Sequence, residues 1–96
     1  MQYMPKALRV LYDKTIRADG GIVEMAVWLL DAPLPPCRHN YKYRLYYGHE
    51  GVCRVRYDNE LGKGDHRHLG TSQTAYAFVD MDTLLADFER DIHHWR

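Results

Sequence analysis

Period-two alternation of apolar and polar residues runs through most of this 96-residue chain and constrains its fold more than any other feature. In residues 40–47 tyrosine and leucine alternate with basic side chains, and residues 52–58 repeat the pattern with Cys53, Val55 and Tyr57. Such alternation, rich in aromatic and β-branched residues, is typical of strands with two different faces. Residues 8–17 alternate in the same way, whereas residues 22–30 are apolar on both faces, which predicts an interior strand.

The segments between these strands carry turn residues, and the last segment changes to helical periodicity. Residues 18–21 and 48–51 contain the glycines that tight turns need, and residues 31–36 hold three prolines, which predicts a loop. Residues 59–74 are polar and glycine-rich, which predicts a second loop, and residues 75–79 suit a short fifth strand. Asp80 suits a helix N-cap. Apolar residues then recur at helical spacing at Met81, Leu84, Leu85, Phe88, Ile92 and Trp95.

This order of elements predicts an α+β fold. We expect one domain over residues 1–96, with an antiparallel meander of four to five strands and a C-terminal helix packed on one face. The longest apolar run, residues 25–30, is too short to span a bilayer, and the first six residues lack the apolar core of a signal peptide. We therefore expect a cytoplasmic protein, in which Cys37 and Cys53 stay reduced.

Charge is distributed unevenly along the chain although its net value is zero. Residues 38–67 hold seven basic and four acidic side chains, a net charge of +3, whereas residues 80–96 have a net charge of −3. A chain with this asymmetry can present a local positive surface to an anionic partner. Alternation favours a cationic patch on the third and fourth strands, formed by Lys42, Arg44, Arg54 and Arg56, where arginine forks suit phosphate oxygens. The alternative is a solvated outer face that keeps the sheet soluble.

A concentration of titratable groups in residues 56–68 is the strongest chemical signal in the sequence. The potential acid–base groups and cations of this segment are Arg56, Asp58, Glu60, Lys63, Asp65, His66, Arg67 and His68. Histidine exchanges protons near neutral pH, so two histidines beside cations suit phosphodiester cleavage. Asp65, His66 and His68 are alternatively candidate ligands of a divalent metal, and a polar surface loop is the third interpretation. His39, at the end of the proline-rich loop, is expected to be solvent-exposed.

Four segments of the chain resemble the TumE-type family of small proteins from prokaryotic toxin–antitoxin operons. They are residues 21–28 (GIVEMAVW), 39–45 (HNYKYRL), 56–68 (RYDNELGKGDHRH) and 76–88, in which Tyr76-Ala77-Phe78 leads into Leu84-Leu85-Ala86-Asp87-Phe88. The segment 56–68 is the most specific of the four. The resemblance implies a toxin with a cognate DNA-binding antitoxin of the helix-turn-helix type encoded beside it. Ribonuclease activity is common among toxins of this size, which favours chemistry in residues 56–68 by analogy.

These observations lead to one preferred function and two alternatives. We expect a metal-independent ribonuclease without a cofactor, in which His66 and His68 share acid and base roles. Three carboxylates, Asp58, Glu60 and Asp65, are candidates to orient an imidazole or to act as the base. The residues expected to bind the RNA phosphates or stabilise their charge are Lys42, Arg44, Arg54, Arg56, Lys63 and Arg67. The alternatives are a non-catalytic module that binds RNA or protein, and a metal-dependent nuclease that uses Asp65, His66 and His68. The sequence leaves self-association open.

Overall fold

One antiparallel sheet of six strands and one helix are the regular elements of residues 5–95, the part of the chain that this computed structural model describes. In chain order they are β1 (Ala7–Ile16), β2 (Ile22–Leu30), β3 (Tyr41–His49), β4 (Val52–Glu60), β5 (Gly64–Leu69), β6 (Ser72–Ala75) and α1 (Met81–His94). Each strand pairs with the next one along the chain, so the sheet is a meander. The predicted α+β class, the antiparallel meander and the C-terminal helix are confirmed, but the sheet has six strands rather than four or five.

The missed strands lie in residues 59–74, which the sequence predicts to be a loop. β5 and β6 form a hairpin there, whereas residues 76–80, most of the predicted fifth strand, have no regular structure. Two glycines with positive φ, Gly62 at 82° and Gly64 at 80°, shape the β4–β5 turn rather than a long loop. The prediction is wrong because β5 carries polar residues on both faces, which hides the alternation on which it depends.

Helix α1 covers one face of the sheet and forms the hydrophobic core with it. Its N-cap is Asp80, whose carboxylate accepts a hydrogen bond of 2.7 Å from the backbone N–H of Thr83, as expected. In the predicted apolar stripe of the helix, Leu84, Phe88 and Ile92 are buried against the inward side chains of β2, β3 and β4, and the other members are partly buried. The buried core cluster contains Val27, Tyr43, Leu45, Tyr47, Val55, Tyr57, Leu84, Phe88 and Ile92. Among the described residues, α1 is too short and too polar to cross a membrane.

The opposite face of the sheet is not covered by any other helix or strand of the described residues, and we call it the open face. Strand register aligns its side chains in rows across the sheet. One row crosses β2 to β5 through Glu24, Tyr46, Arg56 and His68. A second row crosses the same strands through Ala26, Arg44, Asp58 and His66. The open face therefore brings together residues that are more than forty positions apart in the sequence.

Candidate active site on the open face

Arg56 and His68 form the central contact of the open face. The Nη2 atom of Arg56 lies 3.1 Å from Nε2 of His68. A guanidinium group only donates hydrogen bonds, so Nε2 of His68 is the acceptor in this contact. The imidazole is therefore neutral and carries its proton on Nδ1. Asp58 completes the cluster, with one oxygen 3.3 Å from Arg56 Nε and the other 3.8 Å from His68 Nε2.

The surroundings of His68 lower its pKa from the ordinary histidine value. Partial burial is the main cause, because it disfavours the charged imidazolium, and the positive charge of Arg56 acts in the same direction. Asp58 opposes both effects and His66 adds to them. A lowered pKa keeps His68 in its proton-accepting form at neutral pH, as a general base requires.

His66 projects from the same strand and onto the same face as His68. Residues two apart in a strand lie roughly 7 Å from each other, which leaves room for one phosphate between the two imidazoles. His66 is the cross-strand partner of Asp58, which in turn pairs with Arg44. The register therefore places His66 and His68 on one face of β5, and their shared role in a site stays a prediction.

Two further cations, Lys42 and Arg44, lie on the open face beside this cluster. Arg44 is half-exposed, and its guanidinium lies over the ring of Tyr46 at 5.4 Å and 3.8 Å from Glu24. Lys42 is less available, because its ammonium donates a hydrogen bond to the backbone carbonyl of Asn59. Arg44 is therefore the more accessible of these two cations for an anionic ligand.

Arg54 and Arg67, both expected to bind phosphate, do not join this patch. A bulge between β3 and β4 shifts the register at Tyr47, and the guanidinium of Arg54 lies 5.8 Å from the ring centre of Trp95. Arg67 projects toward helix α1, where its Nε and Nη2 atoms each donate a hydrogen bond of 2.8 Å to Asp91. Of the four residues predicted to form the cationic patch, Lys42, Arg44 and Arg56 lie on the open face and Arg54 does not. Strict alternation cannot anticipate a bulge.

Glu60 and Lys63 occupy the β4–β5 turn at the end of the hairpin. Their charged groups pair with each other across 3.4 Å, and both side chains are largely exposed. The hairpin register places this turn beyond His66, farther along the sheet from His68. The turn adds charge at the border of the open face rather than at the Arg56–His68 contact.

Asp65 lies on the face opposite His66 and His68, because neighbouring residues of a strand point to opposite sides. Its carboxylate accepts hydrogen bonds from the Cys37 thiol at 3.2 Å and from the Tyr43 hydroxyl at 2.7 Å. Asp65 therefore lies apart from His66 and His68, and the three residues do not form the metal cluster expected as an alternative. Asp65 instead belongs to a second cluster, together with residues that were not among the predicted site residues.

That second cluster contains Cys37 and His39, which reach Asp65 from the loop before β3. His39 Nε2 lies 2.7 Å from Asp65, and its ring stacks on Phe78 at 3.8 Å between ring centres. The His39 side chain is only 14% exposed, so its predicted solvent exposure is wrong. No spacing rule indicates this cluster, since His39 and Asp65 are 26 positions apart and meet only because β3 and β5 flank β4.

The second cluster lines a cavity of about 430 Å³ and has the ligand types of a metal site. The ligand atoms of Cys37, His39 and Asp65 lie within 4.8 Å of one another. However, the backbone N–H of Tyr41 donates to His39 Nδ1 at 3.1 Å, which places the ring proton on Nε2, facing Asp65. Burial raises the pKa of the Cys37 thiol to about 11, with Asp65 adding to the effect. As folded, these groups form a hydrogen-bond network that fastens the loop to β5.

A match with a known protein family covers nearly the whole chain. Residues 5–96 match the family described as toxin TumE. Neither the search of curated proteins nor that of solved structures gives a match. The match includes the whole sheet, the Arg56–His68 cluster and helix α1. The chain therefore belongs to the TumE toxin family.

Proposed function

We propose that this protein acts as a toxin by cleaving RNA without a metal ion, and that the cleavage takes place on the open face. The observation that carries the proposal is the contact between Arg56 and His68. It holds a neutral imidazole, with its pKa lowered, next to a guanidinium group on a surface that carries further cations. Toxin family membership supports the biological role, and the site geometry supports the reaction.

The proposed reaction is an internal transesterification of RNA. The scissile phosphate binds between the two histidines and takes the Nη2 donor of Arg56, which frees Nε2 of His68. That nitrogen accepts the 2′-hydroxyl proton while the 2′-oxygen attacks phosphorus, and His66 donates a proton to the departing 5′-oxygen. The P–O5′ bond breaks, leaving a 2′,3′-cyclic phosphate and a 5′-hydroxyl. Arg56 and Arg44 stabilise the extra negative charge on the phosphate oxygens.

The rest of the open face supports binding of single-stranded RNA. Trp28 and Tyr46 lie on this face beside Lys42 and Arg44, on β2 and β3. Aromatic rings stack on unpaired bases, and neighbouring cations follow the phosphates, so sheet surfaces of this composition suit single strands. Together these residues provide a binding surface on one side of the catalytic cluster.

The test is incubation of the purified protein with labelled single-stranded RNA, with and without a chelator. We expect cleavage in both conditions and products ending in a cyclic phosphate. His66→Ala and His68→Ala should each abolish cleavage and toxicity, whereas His94→Ala, an exposed histidine at the end of α1, serves as the matched control. Cleavage that stops with the chelator would contradict the metal-independent reaction. RNA binding without cleavage would indicate the non-catalytic alternative.

A further inference from the structure

A pocket of about 220 Å³ opens on the same face, and its Glu24 lies two strand spacings from Arg56 of the catalytic cluster. It is smaller than the ~300–1,000 Å³ typical of drug-sized ligands, and its size suits one flat ring system. Strands β1, β2 and β3 form it. Its lining residues are Arg9, Tyr12, Glu24, Ala26, Trp28 and Arg44. The small side chain of Ala26 leaves space between the flanking Trp28 and Glu24.

Glu24 is the acidic residue of this otherwise cationic and aromatic pocket. The Tyr12 hydroxyl donates a hydrogen bond of 2.8 Å to its Oε2 atom, which fixes the orientation of the carboxylate. Its Oε1 atom lies 3.8 Å from Arg44 Nη1, beyond hydrogen-bond distance. The guanidinium of Arg9 lies over the Tyr12 ring, 5.0 Å from its centre. The carboxylate is therefore oriented, partly exposed and able to accept further hydrogen bonds.

We propose that this pocket binds a guanine base of the RNA and gives the open face a preference for guanosine. The inference rests on the proposed function of that face. A carboxylate only accepts hydrogen bonds, and guanine offers two neighbouring donors, N1–H and the N2 amino group, on its Watson–Crick edge. Glu24 can accept both with its two oxygens, while Trp28 provides a wall on which the base stacks.

The other three bases fit this carboxylate less well. Adenine and cytosine each place a ring-nitrogen acceptor beside their amino group, so the second carboxylate oxygen would face a lone pair. Uracil offers a single N3–H donor between two carbonyl oxygens. A site whose charged acceptor is left unpaired or repelled binds the wrong base more weakly, because the acceptor loses its contacts with water and gains no partner. Glu24 therefore favours guanine, the base that offers two adjacent hydrogen-bond donors to its carboxylate.

The pocket lies at a suitable distance from the Arg56–His68 cluster, where the RNA would be cleaved. Glu24 on β2 and Arg56 on β4 belong to the same cross-strand row, two strand spacings or about 10 Å apart. Arg44 lines the pocket and also faces Asp58 on β4. A nucleotide with its base at Glu24 can thus place its 3′-phosphate beside Arg44 and Arg56.

The test compares the binding of the 3′-monophosphates of guanosine, adenosine, cytidine and uridine, followed by amide chemical shifts of the full chain. All four ligands carry the same phosphate, so a difference between them reports the base. We expect guanosine monophosphate to bind at least about tenfold more tightly than the others and to shift residues 24–28. Glu24→Gln should remove this preference, because the amide replaces one acceptor with a donor. Glu89→Gln, an exposed site on α1, is the control and should keep the preference.

Equal affinity for the four nucleotides, or a guanosine preference that survives in Glu24→Gln, would overturn the inference. A free guanine nucleotide would present the same base, so a guanosine-containing pentanucleotide RNA is compared with guanosine triphosphate. Tighter binding of the RNA supports the assignment, and tighter binding of the triphosphate would overturn it. The readout is binding, so failure of the ribonuclease reaction and failure of base selection are distinguishable. Cleavage without base preference would support the ribonuclease reaction and overturn the guanosine preference.

Discussion

Arg67 of β5 and Asp91 of α1 form a bidentate ion pair, in which both hydrogen bonds are 2.8 Å long. The Tyr57 hydroxyl donates a third hydrogen bond to the same carboxylate. Asp91 is buried, and these contacts hold its pKa below the usual range despite burial, which acts in the opposite direction. The pair fastens the helix to the strand whose other face carries His66 and His68.

Replacement of Asp91 should therefore destabilise the whole fold. We expect Asp91→Ala to lower the free energy of unfolding by about 3 kcal/mol, because it leaves the Arg67 guanidinium and the Tyr57 hydroxyl without their shared partner. Urea unfolding measures the change as a lower midpoint at an unchanged slope. Glu89→Ala, on the exposed side of the same helix, should change stability by less than about 0.5 kcal/mol. Equal effects of the two substitutions would show that the ion pair contributes nothing.

His68 should make stability depend on pH in the mildly acidic range. Its pKa in the folded protein lies below the unfolded value of about 6.5, because of burial and the charge of Arg56. The unfolded chain therefore takes up a proton first as the pH falls, so stability present above about pH 6.5 is lost as the pH falls through the folded-state pKa. His68→Asn should show a smaller loss of stability between pH 7 and pH 5 than the unmodified protein.

The charge next to the imidazole can be removed to test the cause of the low pKa of His68. Arg56→Gln should move the His68 titration midpoint upward in an NMR titration, since it removes one of the two main causes of the low pKa. Arg90→Gln removes a charge on α1 that is paired with Asp87, and it should leave the midpoint unchanged. A His68 midpoint at or above 6.5 in the unmodified protein would contradict the neutral imidazole assigned to the Arg56 contact.

Most of the fold follows from local patterns in the sequence, whereas the missed strands depend on tertiary contacts. β2, β3, β4 and α1 are predicted close to their observed bounds because each carries a regular period and recognisable ends. β5 escapes prediction because Asp65 and Arg67 point toward the core side and find partners there. Those partners, Tyr43 for Asp65 and Asp91 for Arg67, are 22 and 24 positions away, beyond any local window.

The candidate site was predictable in its residue types and only partly in its arrangement. Alternation is enough to separate His66 and His68 from Asp65 once residues 64–69 are known to form a strand. The Arg56–His68 contact requires the β4–β5 register, and the position of Arg54 depends on a bulge. The network around Cys37 and His39 needs the complete topology, since the loop before β3 and two non-adjacent strands, β3 and β5, contribute to it.

RNA binding should weaken with salt through the cations of the open face. Each phosphate that a cation neutralises releases counterions, so Arg44→Ala and Arg56→Ala should each reduce the slope of log affinity against log salt concentration by about one. Arg54→Ala is the matched control, because that guanidinium lies over Trp95 instead. Fluorescence anisotropy with a short single-stranded RNA measures the slopes. An affinity that is the same at low and high salt would exclude this face as the binding surface.

The cognate antitoxin, which we propose to be of the helix-turn-helix type, should bind over the open face. An inhibitor that covers the Arg56–His68 cluster prevents RNA binding directly, and acidic side chains complement the cations there. We expect the interface to include Arg44, Arg56 and residues 60–68, because residues 38–67 carry a net charge of +3 and residues 80–96 a net charge of −3.

Hydrogen exchange of the toxin–antitoxin complex tests this location. We expect slower exchange in residues 60–68 than in the isolated toxin, since an occluding partner limits solvent access to the β4–β5 hairpin. Arg44→Glu should weaken the complex by reversing a charge at the interface, whereas Arg90→Glu on α1 should not. If slower exchange were confined to residues 80–96, the antitoxin would bind the helix and leave the cluster accessible. Direct occlusion would then be wrong, and inhibition would have to act through a change in the sheet or through repression of transcription.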